Sequence, residues 1–217
     1  MSETTANEKI RISIKRIQTQ LDFIKAYKKP ISNLTDIVDL RNFFKLFRTD
    51  FRSFAPNSNE AKEMIKLAIE NFPLFITEFE RISNEHSKEI EEKVNCIRMI
   101  GDIKRYLIEF NEDTPEKSLF VQEALVTYRD AMDLCEKLPK DDLGLLSVYL
   151  NFSVLLADEM REIDEAISLI QGLKDSINLE EAYKSEEKKL VLEIIFDNLE
   201  YFKKNRELYF TEEKISY

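Results

Sequence analysis

Apolar residues recur every three or four positions along most of the chain, which is the pattern of helices that bury one face. This pattern predicts a first helix from about residue 8 to residue 29, and Pro30 ends it. Further helices are predicted at about 32–54, 60–71, a continuation to 81 after a candidate kink at Pro73, 87–110, 114–138, 142–160, 164–179 and 181–204. Thr114 and Pro115 suit the cap and the first position of the helix that begins there.

The connections between these helices are short, so neighbouring helices are expected to run antiparallel. We therefore predict an all-α fold: a single domain over residues 1–204 with about eight or nine helices, followed by a tail at 205–217. The composition agrees, because only three glycines and five prolines occur among 217 residues, and 34% of the residues are charged. Such a composition favours helices over a turn-rich β architecture.

The formal net charge of −10 argues against general binding to nucleic acid or to anionic membranes, so an anion site would have to be local. Cys96 and Cys135 stand far apart in the sequence and are expected to be buried thiols of a reducing compartment. The first residues are polar and lack the apolar core of a secretory signal. The longest uncharged run covers residues 143–157, which is too short to cross a bilayer. We expect a cytoplasmic protein.

A stripe of cations lies on the second predicted helix. Its members are Arg41, Lys45, Arg48 and Arg52, which fall within a sector about 60° wide on a helical wheel. None of them has a carboxylate four residues away on the same helix, where an exposed cation usually finds its partner. A solvated surface would explain such a stripe without any ligand. The three arginines favour a binding site, because the guanidinium fork matches the oxygens of phosphate or carboxylate.

A second basic element contains Arg98 and Arg105, and Tyr106 follows directly. Asp102 and Glu109 each stand four residues after one of these arginines, so ion pairs within one helix would also explain the four charges. The hydroxyl of Tyr106 adds a donor that could reach an anion bound at Arg105. Both interpretations, an anion site and a ladder of ion pairs, are open at this point.

Two asparagines stand in apolar stripes. Asn151 is near the centre of the uncharged run, and Asn198 shares a helix face with Ile194 and Tyr201. Burying an unpaired amide costs about 1–3 kcal/mol, so each asparagine either has an internal partner or faces a ligand. Two such helices facing each other would form a groove with apolar walls and two carboxamides. That groove would suit an extended peptide, whose backbone offers a donor and an acceptor at each residue.

The segments 150–154 (LNFSV), 99–107 (MIGDIKRYL) and 197–199 (DNL) together resemble 14-3-3 proteins, as does the pair Tyr183 and Lys184. The matches run in order from about residue 93 to residue 202, whereas before residue 60 only the cationic helix aligns well. The resemblance implies an all-helical domain of about nine antiparallel helices with a concave amphipathic groove. It also implies a non-enzymatic adaptor that binds client protein segments through phosphoserine or phosphothreonine.

The resemblance also assigns roles by position. It implies that the phosphate is held by Arg41, Arg48, Arg105 and Tyr106. It implies that Asn151 and Asn198 bind the ligand backbone and that the apolar wall comprises Leu150, Val154, Ile194 and Tyr201. Arg98 stands where the family has a groove lysine, which makes it an accessory candidate. The resemblance implies no catalytic residue, no metal and no cofactor.

Two further features concern assembly and regulation. The chain is shorter before Arg41 than the family is, and it lacks about four turns of helix between Arg52 and Arg98, regions that build the family's dimer interface. We therefore predict a homodimer with an altered or weakened interface. The family also accepts a phosphorylated serine just before a free carboxylate, so the penultimate Ser216, if phosphorylated, is a candidate self-ligand.

The main alternative is a tetratricopeptide-like scaffold, which would bind peptides on a concave helical surface without needing phosphate. Its repeat motif is not visible in this sequence. An enzyme is not expected, because His86 is the only histidine and no phosphate loop or dinucleotide fingerprint occurs. The predicted partners are phosphorylated client proteins, with no nucleic acid and no membrane.

Overall fold

The computed structural model describes residues 3–26, 34–55, 57–85, 89–111 and 115–211. Every regular element within these ranges is helical and no strand occurs among them, so the predicted all-α fold class is confirmed. The chain separates into two compact units, residues 1–120 and residues 121–217. No helix in the described ranges is both long enough and apolar enough to cross a membrane.

The elements follow one another in the order that hydrophobic spacing predicts. The first unit contains α1 (Glu3–Ala26), α2 (Leu34–Arg52), α3 (Asn59–Glu85) and α4 (Ile90–Phe110), and α5 (Lys117–Cys135) follows. The remaining elements are α6 (Leu143–Val154), a π-helix (Leu155–Glu159), α7 (Ile163–Ser176), α8 (Leu179–Ala182) and α9 (Glu186–Thr211). In the first unit, α3 packs against α1 and α4, and α2 packs against the same two helices.

Phenylalanine rings form the centre of the first unit. Phe43, Phe44 and Phe47 of α2 meet Phe72 and Phe75 of α3, with ring centroids 5.0–5.6 Å apart. All five side chains are buried. Each favourable pair adds about 0.5–1.5 kcal/mol to the burial of the rings themselves. Because α2 turns this face inward, as predicted, its described cations lie on the neighbouring, more accessible side.

The third helix differs from its prediction at Pro73. The sequence predicts a helix to about residue 71, a candidate kink and a second stretch, but α3 is one helix that contains the proline. A proline inside a helix costs about 3 kcal/mol, because it removes a backbone hydrogen bond. Phe72, Phe75 and Phe79 are buried on both sides of it. Burial of one such side chain contributes about 1.5–3 kcal/mol, so packing outweighs the local cost.

In the second unit, α9 packs its apolar face against α6 and α7. The buried residues of this face are Leu192, Ile195, Leu199 and Phe202. Arg206 near the end of α9 donates two hydrogen bonds, 2.6 and 2.7 Å long, to Asp164 at the start of α7. Lys203, one turn earlier, donates to Gln171, which lies further along α7. These pairs run in opposite directions along the two helices, so α7 and α9 are antiparallel as predicted.

The uncharged segment is α-helical only as far as Val154. Asp142 caps its start, where its carboxylate accepts a hydrogen bond from the Leu145 amide at 3.0 Å. Residues 155–159 form a π-helix, and Arg161 just beyond it has a φ of 60°. The predicted helix at about 142–160 is therefore present, but its last part is a π-helix instead of an α-helix. Hydrophobic spacing did not reveal the change, because apolar residues fill both parts of the segment.

Two other helix starts are corrected. Pro115 lies in a turn and α5 begins at Lys117, while the predicted cap, Thr114, lies outside the described residues. The last long helix begins at Glu186 instead of about residue 181, because α8 and a turn precede it. The hydroxyl of Ser185 accepts a hydrogen bond from the Lys188 amide at this start. α9 then continues to Thr211, past the predicted end at residue 204.

Candidate functional site

Two arginines from different helices meet at one aromatic ring in the first unit. The guanidinium carbon of Arg48, on α2, lies 5.3 Å from the centroid of the Tyr106 ring, and that of Arg105, on α4, lies 5.0 Å from it. Each cation–π contact is worth about 0.5–1 kcal/mol where it is exposed. Packing of α2 against α4 thus brings together three of the four residues to which the resemblance assigns the phosphate.

The remaining predicted phosphate ligand is Arg41. It lies in α2, but its side chain is outside the part of the chain that is described. Lys45, the next cation of the stripe, is exposed. The candidate self-ligand Ser216 also lies outside the described residues.

A carboxylate on α4 joins the arginines of α2. Glu109 accepts a hydrogen bond from Nε of Arg48 at 2.6 Å, and its other oxygen accepts one from Nε of Arg52. As predicted, these cations have no carboxylate four residues away on their own helix. The partner comes from a neighbouring helix. We call the group formed by Arg48, Arg52, Arg105, Tyr106 and Glu109 the cationic cluster.

Arg98 and Asp102 form a buried ion pair within α4. Nη1 of Arg98 lies 2.9 Å from a carboxylate oxygen of Asp102, and the two side chains are 4% and 7% exposed. The pair predicted from their spacing of four residues is therefore present. The Nε atom of Arg98 is also buried, and it makes no hydrogen bond within the described part of the chain. Removing one member of such a pair would leave an uncompensated charge in the interior.

The surroundings of Tyr106 raise the pKa of its phenol. Burial raises the pKa of its phenol above the ordinary value, and the negative charge of Asp102 raises it further. Arg105, Arg48 and Arg98 act in the opposite direction on the same pKa, and their combined effect is smaller. The phenol therefore keeps its proton at neutral pH and can donate a hydrogen bond to an anion.

The two asparagines lie on helices of the second unit that pack against each other. Asn151 is on α6 and Asn198 is on α9, and both side chains are half-buried. Leu150 and Val154 on α6 are half-buried as well. None of these four side chains is therefore fully enclosed by the second unit.

The solvent-accessible face of α9 carries several exposed apolar side chains. Ile194 and Tyr201, the two predicted wall residues of this helix, are exposed. Leu190 is exposed too, one turn before Ile194 on the same side of α9. Leu190 was not among the predicted wall residues, although its spacing of four residues from Ile194 already placed it on that stripe.

The fold and the cationic cluster together define a class: an all-helical protein in which arginines of two packed helices lie close together. The family model described as 14-3-3 protein matches residues 57–203, which is more than half of the chain. The chain therefore belongs to the 14-3-3 family. Most residues assigned by resemblance, from Arg98 to Tyr201, lie inside the matched range, whereas Arg41 and Arg48 lie before it.

The chain is similar to 14-3-3 proteins from several organisms. The chain is 32% identical over 121 residues to 14-3-3 protein 2 of Entamoeba histolytica, an alignment that covers 53% of this chain and 50% of that protein. It is 33% identical over 117 residues to a 14-3-3-like protein of Solanum tuberosum, covering 50% and 44% of the two chains. It is 34% identical over 116 residues to 14-3-3-like protein GF14-F of Oryza sativa subsp. japonica, with the same coverage. The chain thus spans about half the length of the curated relatives it matches.

Proposed function

We propose that this protein is a non-catalytic adaptor that binds segments of client proteins carrying phosphoserine or phosphothreonine. The observation that carries the proposal is the meeting of Arg48 and Arg105 at the ring of Tyr106. Donors from two helices therefore lie close together, and the raised pKa of the phenol keeps it far from ionisation at neutral pH. Arg41 would complete the group that holds the phosphate.

Charge explains why the modification would matter. A phosphate on serine or threonine carries about −1.5 to −2 charges and three acceptor oxygens, whereas the unmodified hydroxyl carries no charge. Guanidinium groups bind such oxygens with charge-assisted hydrogen bonds, each worth about 1.5–3 kcal/mol. An unphosphorylated segment would gain none of these bonds at Arg48 and Arg105.

Residues of the second unit would contact the backbone and the apolar side chains of the bound peptide. In this proposal the amides of Asn151 and Asn198 bond to the ligand backbone. The apolar wall would be formed by Leu150, Val154, Ile194 and Tyr201. Leu190 would extend this wall, since it is exposed on the same stripe of α9. The accessory contact predicted for Arg98 stays a prediction, and the burial of Arg98 in its pair with Asp102 gives it no additional support.

The central experiment compares one serine-containing peptide with and without phosphate, measured by fluorescence anisotropy. The phosphorylated form should bind at least tenfold more tightly, and Arg48→Ala or Arg105→Ala should each weaken it by about 10–100-fold. Arg129→Ala is the matched control, because Arg129 is an exposed arginine whose ion pair with Glu165 lies in the second unit. Equal affinity for the two peptides would refute the proposal and would favour the phosphate-independent scaffold instead.

Two regulatory parts of the proposal have their own tests. We propose a weakened homodimer, which sedimentation velocity at micromolar concentration would detect as a mass that falls on dilution; a tight dimer would contradict it.

We also propose that phosphorylated Ser216 occupies the peptide site of its own or a neighbouring molecule. A synthetic peptide of residues 208–217 phosphorylated at Ser216 should then compete with the client peptide, and failure to compete would exclude self-binding.

A further inference from the structure

Glu109 contacts Arg48, which is a predicted phosphate ligand, but Glu109 is not itself a predicted ligand. It lies in the last turn of α4, and its carboxylate bridges two arginines that are one turn apart on α2. One oxygen accepts a hydrogen bond from Nε of Arg48 and the other accepts one from Nε of Arg52, so both carboxylate oxygens are engaged. The Glu109 side chain is 21% exposed, which separates this bridge from fully solvated ion pairs.

The bridge uses only one nitrogen of each guanidinium group. Within the described part of the chain, the Nη nitrogens of Arg48 and Arg52 make no hydrogen bond, and the bonds to Glu109 run through Nε. A guanidinium has five donor hydrogens in a rigid plane, so fixing Nε fixes the direction of the other four. Glu109 therefore orients two sets of unused donors while leaving them available to a ligand.

The charges of the cationic cluster also leave room for an anion. Arg48, Arg52 and Arg105 contribute three positive charges, and Glu109 contributes one negative charge. The surplus suits a phosphate, whose charge at neutral pH is between −1.5 and about −2. A carboxylate that simply neutralised the arginines would oppose binding, whereas one that holds them in place would promote it.

We propose that Glu109 is a positioning residue of the phosphate site, which aligns Arg48 and Arg52 so that their Nη donors face the bound phosphate. This inference rests on the proposed function. Electrostatics alone would predict that removing the negative charge of Glu109 strengthens phosphopeptide binding, because the site becomes more positive. The proposal predicts weaker binding, because the arginines lose their fixed orientation. Loss of residues that orient ligating side chains costs about 10–100-fold in metal sites, and we expect the lower end of that range here.

Glu109→Gln is the first test. Glutamine keeps the size, but its amide nitrogen is a donor and cannot accept from a second arginine. The phosphopeptide should bind about tenfold more weakly to this variant than to the wild type. Glu91→Gln removes the same charge from an exposed position at the start of the same helix, and it should leave the affinity unchanged or slightly higher.

Two more variants distinguish an effect of arginine orientation from an effect of charge. Glu109→Asp keeps the charge but shortens the side chain by one methylene, so it should also weaken binding although the net charge is unchanged. In an Arg48→Ala background, Glu109→Gln should have a smaller effect, because Arg52 is then the only one of the two arginines left for Glu109 to orient. Circular dichroism of each variant checks that the helices are intact.

The outcomes are distinct. If the wild type does not prefer the phosphorylated peptide, the proposed function fails and the role of Glu109 falls with it. If the wild type does prefer it but Glu109→Gln binds as tightly, the positioning role alone is overturned. Tighter binding to Glu109→Gln would overturn that role too and would show that the carboxylate competes with the phosphate. An undiminished effect of Glu109→Gln in the Arg48→Ala background would likewise overturn the role.

Discussion

The buried pair of Arg98 and Asp102 provides the most quantitative prediction. Asp102→Asn keeps the size of the side chain and removes its charge, so it leaves the Arg98 guanidinium without a counter-charge. The two side chains are only 4% and 7% exposed, and Nε of Arg98 is already without a hydrogen bond. Breaking one member of a buried pair costs about 3–5 kcal/mol. Asparagine still offers one acceptor oxygen, so we expect about 3 kcal/mol, at the low end of that range.

Urea unfolding followed by circular dichroism would measure this loss. Glu181→Gln is the control, because Glu181 and Lys184 form an ion pair of similar spacing at the surface, worth less than about 1 kcal/mol. A loss of less than about 1 kcal/mol for Asp102→Asn would refute the reasoning, because the buried pair would then behave like the surface pair. The double variant Arg98→Met with Asp102→Leu should recover most of the stability, since an apolar pair needs no counter-charge.

Asp102→Asn should have a second effect, on the neighbouring phenol. The negative charge of Asp102 raises the pKa of Tyr106, so its removal should lower that pKa. The change can be followed through the ultraviolet absorbance of the phenolate, with Tyr106→Phe to identify the signal. An unchanged pKa of Tyr106 would show that burial alone sets its value.

Three further predictions concern other parts of the chain. Burial raises the pKa of the Cys135 thiol to about 12, so at pH 8 only about one molecule in ten thousand carries the thiolate, and Ellman's reagent should label Cys135 only after unfolding; rapid labelling of the native protein would contradict this. Phe47→Ala should lower the free energy of unfolding by about 3–5 kcal/mol, because the ring is fully buried, and a loss below about 1 kcal/mol would show that the cluster repacks. Hydrogen bonds from Arg206 lower the pKa of Asp164, so Arg206→Gln should raise it toward its ordinary value in an NMR titration, and an unchanged value would exclude the pair in solution.

The spacing of apolar residues along the sequence predicted most of the helices, because each helix buries a face on which apolar residues recur. The phenylalanines of α2 are an example: their spacing placed them inward, and Phe43, Phe44 and Phe47 are indeed buried. The pattern failed where a local cost competes with packing, as at Pro73, or where the helix type changes without a change in composition, as at residues 155–159. Both outcomes depend on contacts between helices, which periodicity does not contain.

The partner of Glu109 illustrates the same limit at the candidate site. Its spacing of four residues from Arg105 suggested a pair within α4, and the spacing of Asp102 from Arg98 suggested an identical one. Asp102 pairs with Arg98 within α4, whereas Glu109 reaches Arg48 and Arg52 on α2. Spacing along one helix could not predict the contacts of Glu109 with α2, because they depend on the packing of α2 against α4.

The two faces of α2 connect ligand recognition with the stability of the first unit. Phenylalanines on one face hold the helix in the core, and the arginines on the other belong to the cationic cluster. A ligand that binds only the folded helix pair adds its free energy to the stability of that unit, about 2.7 kcal/mol when present at one hundred times its dissociation constant. The melting temperature of the protein could therefore rank unlabelled phosphopeptides as candidate clients.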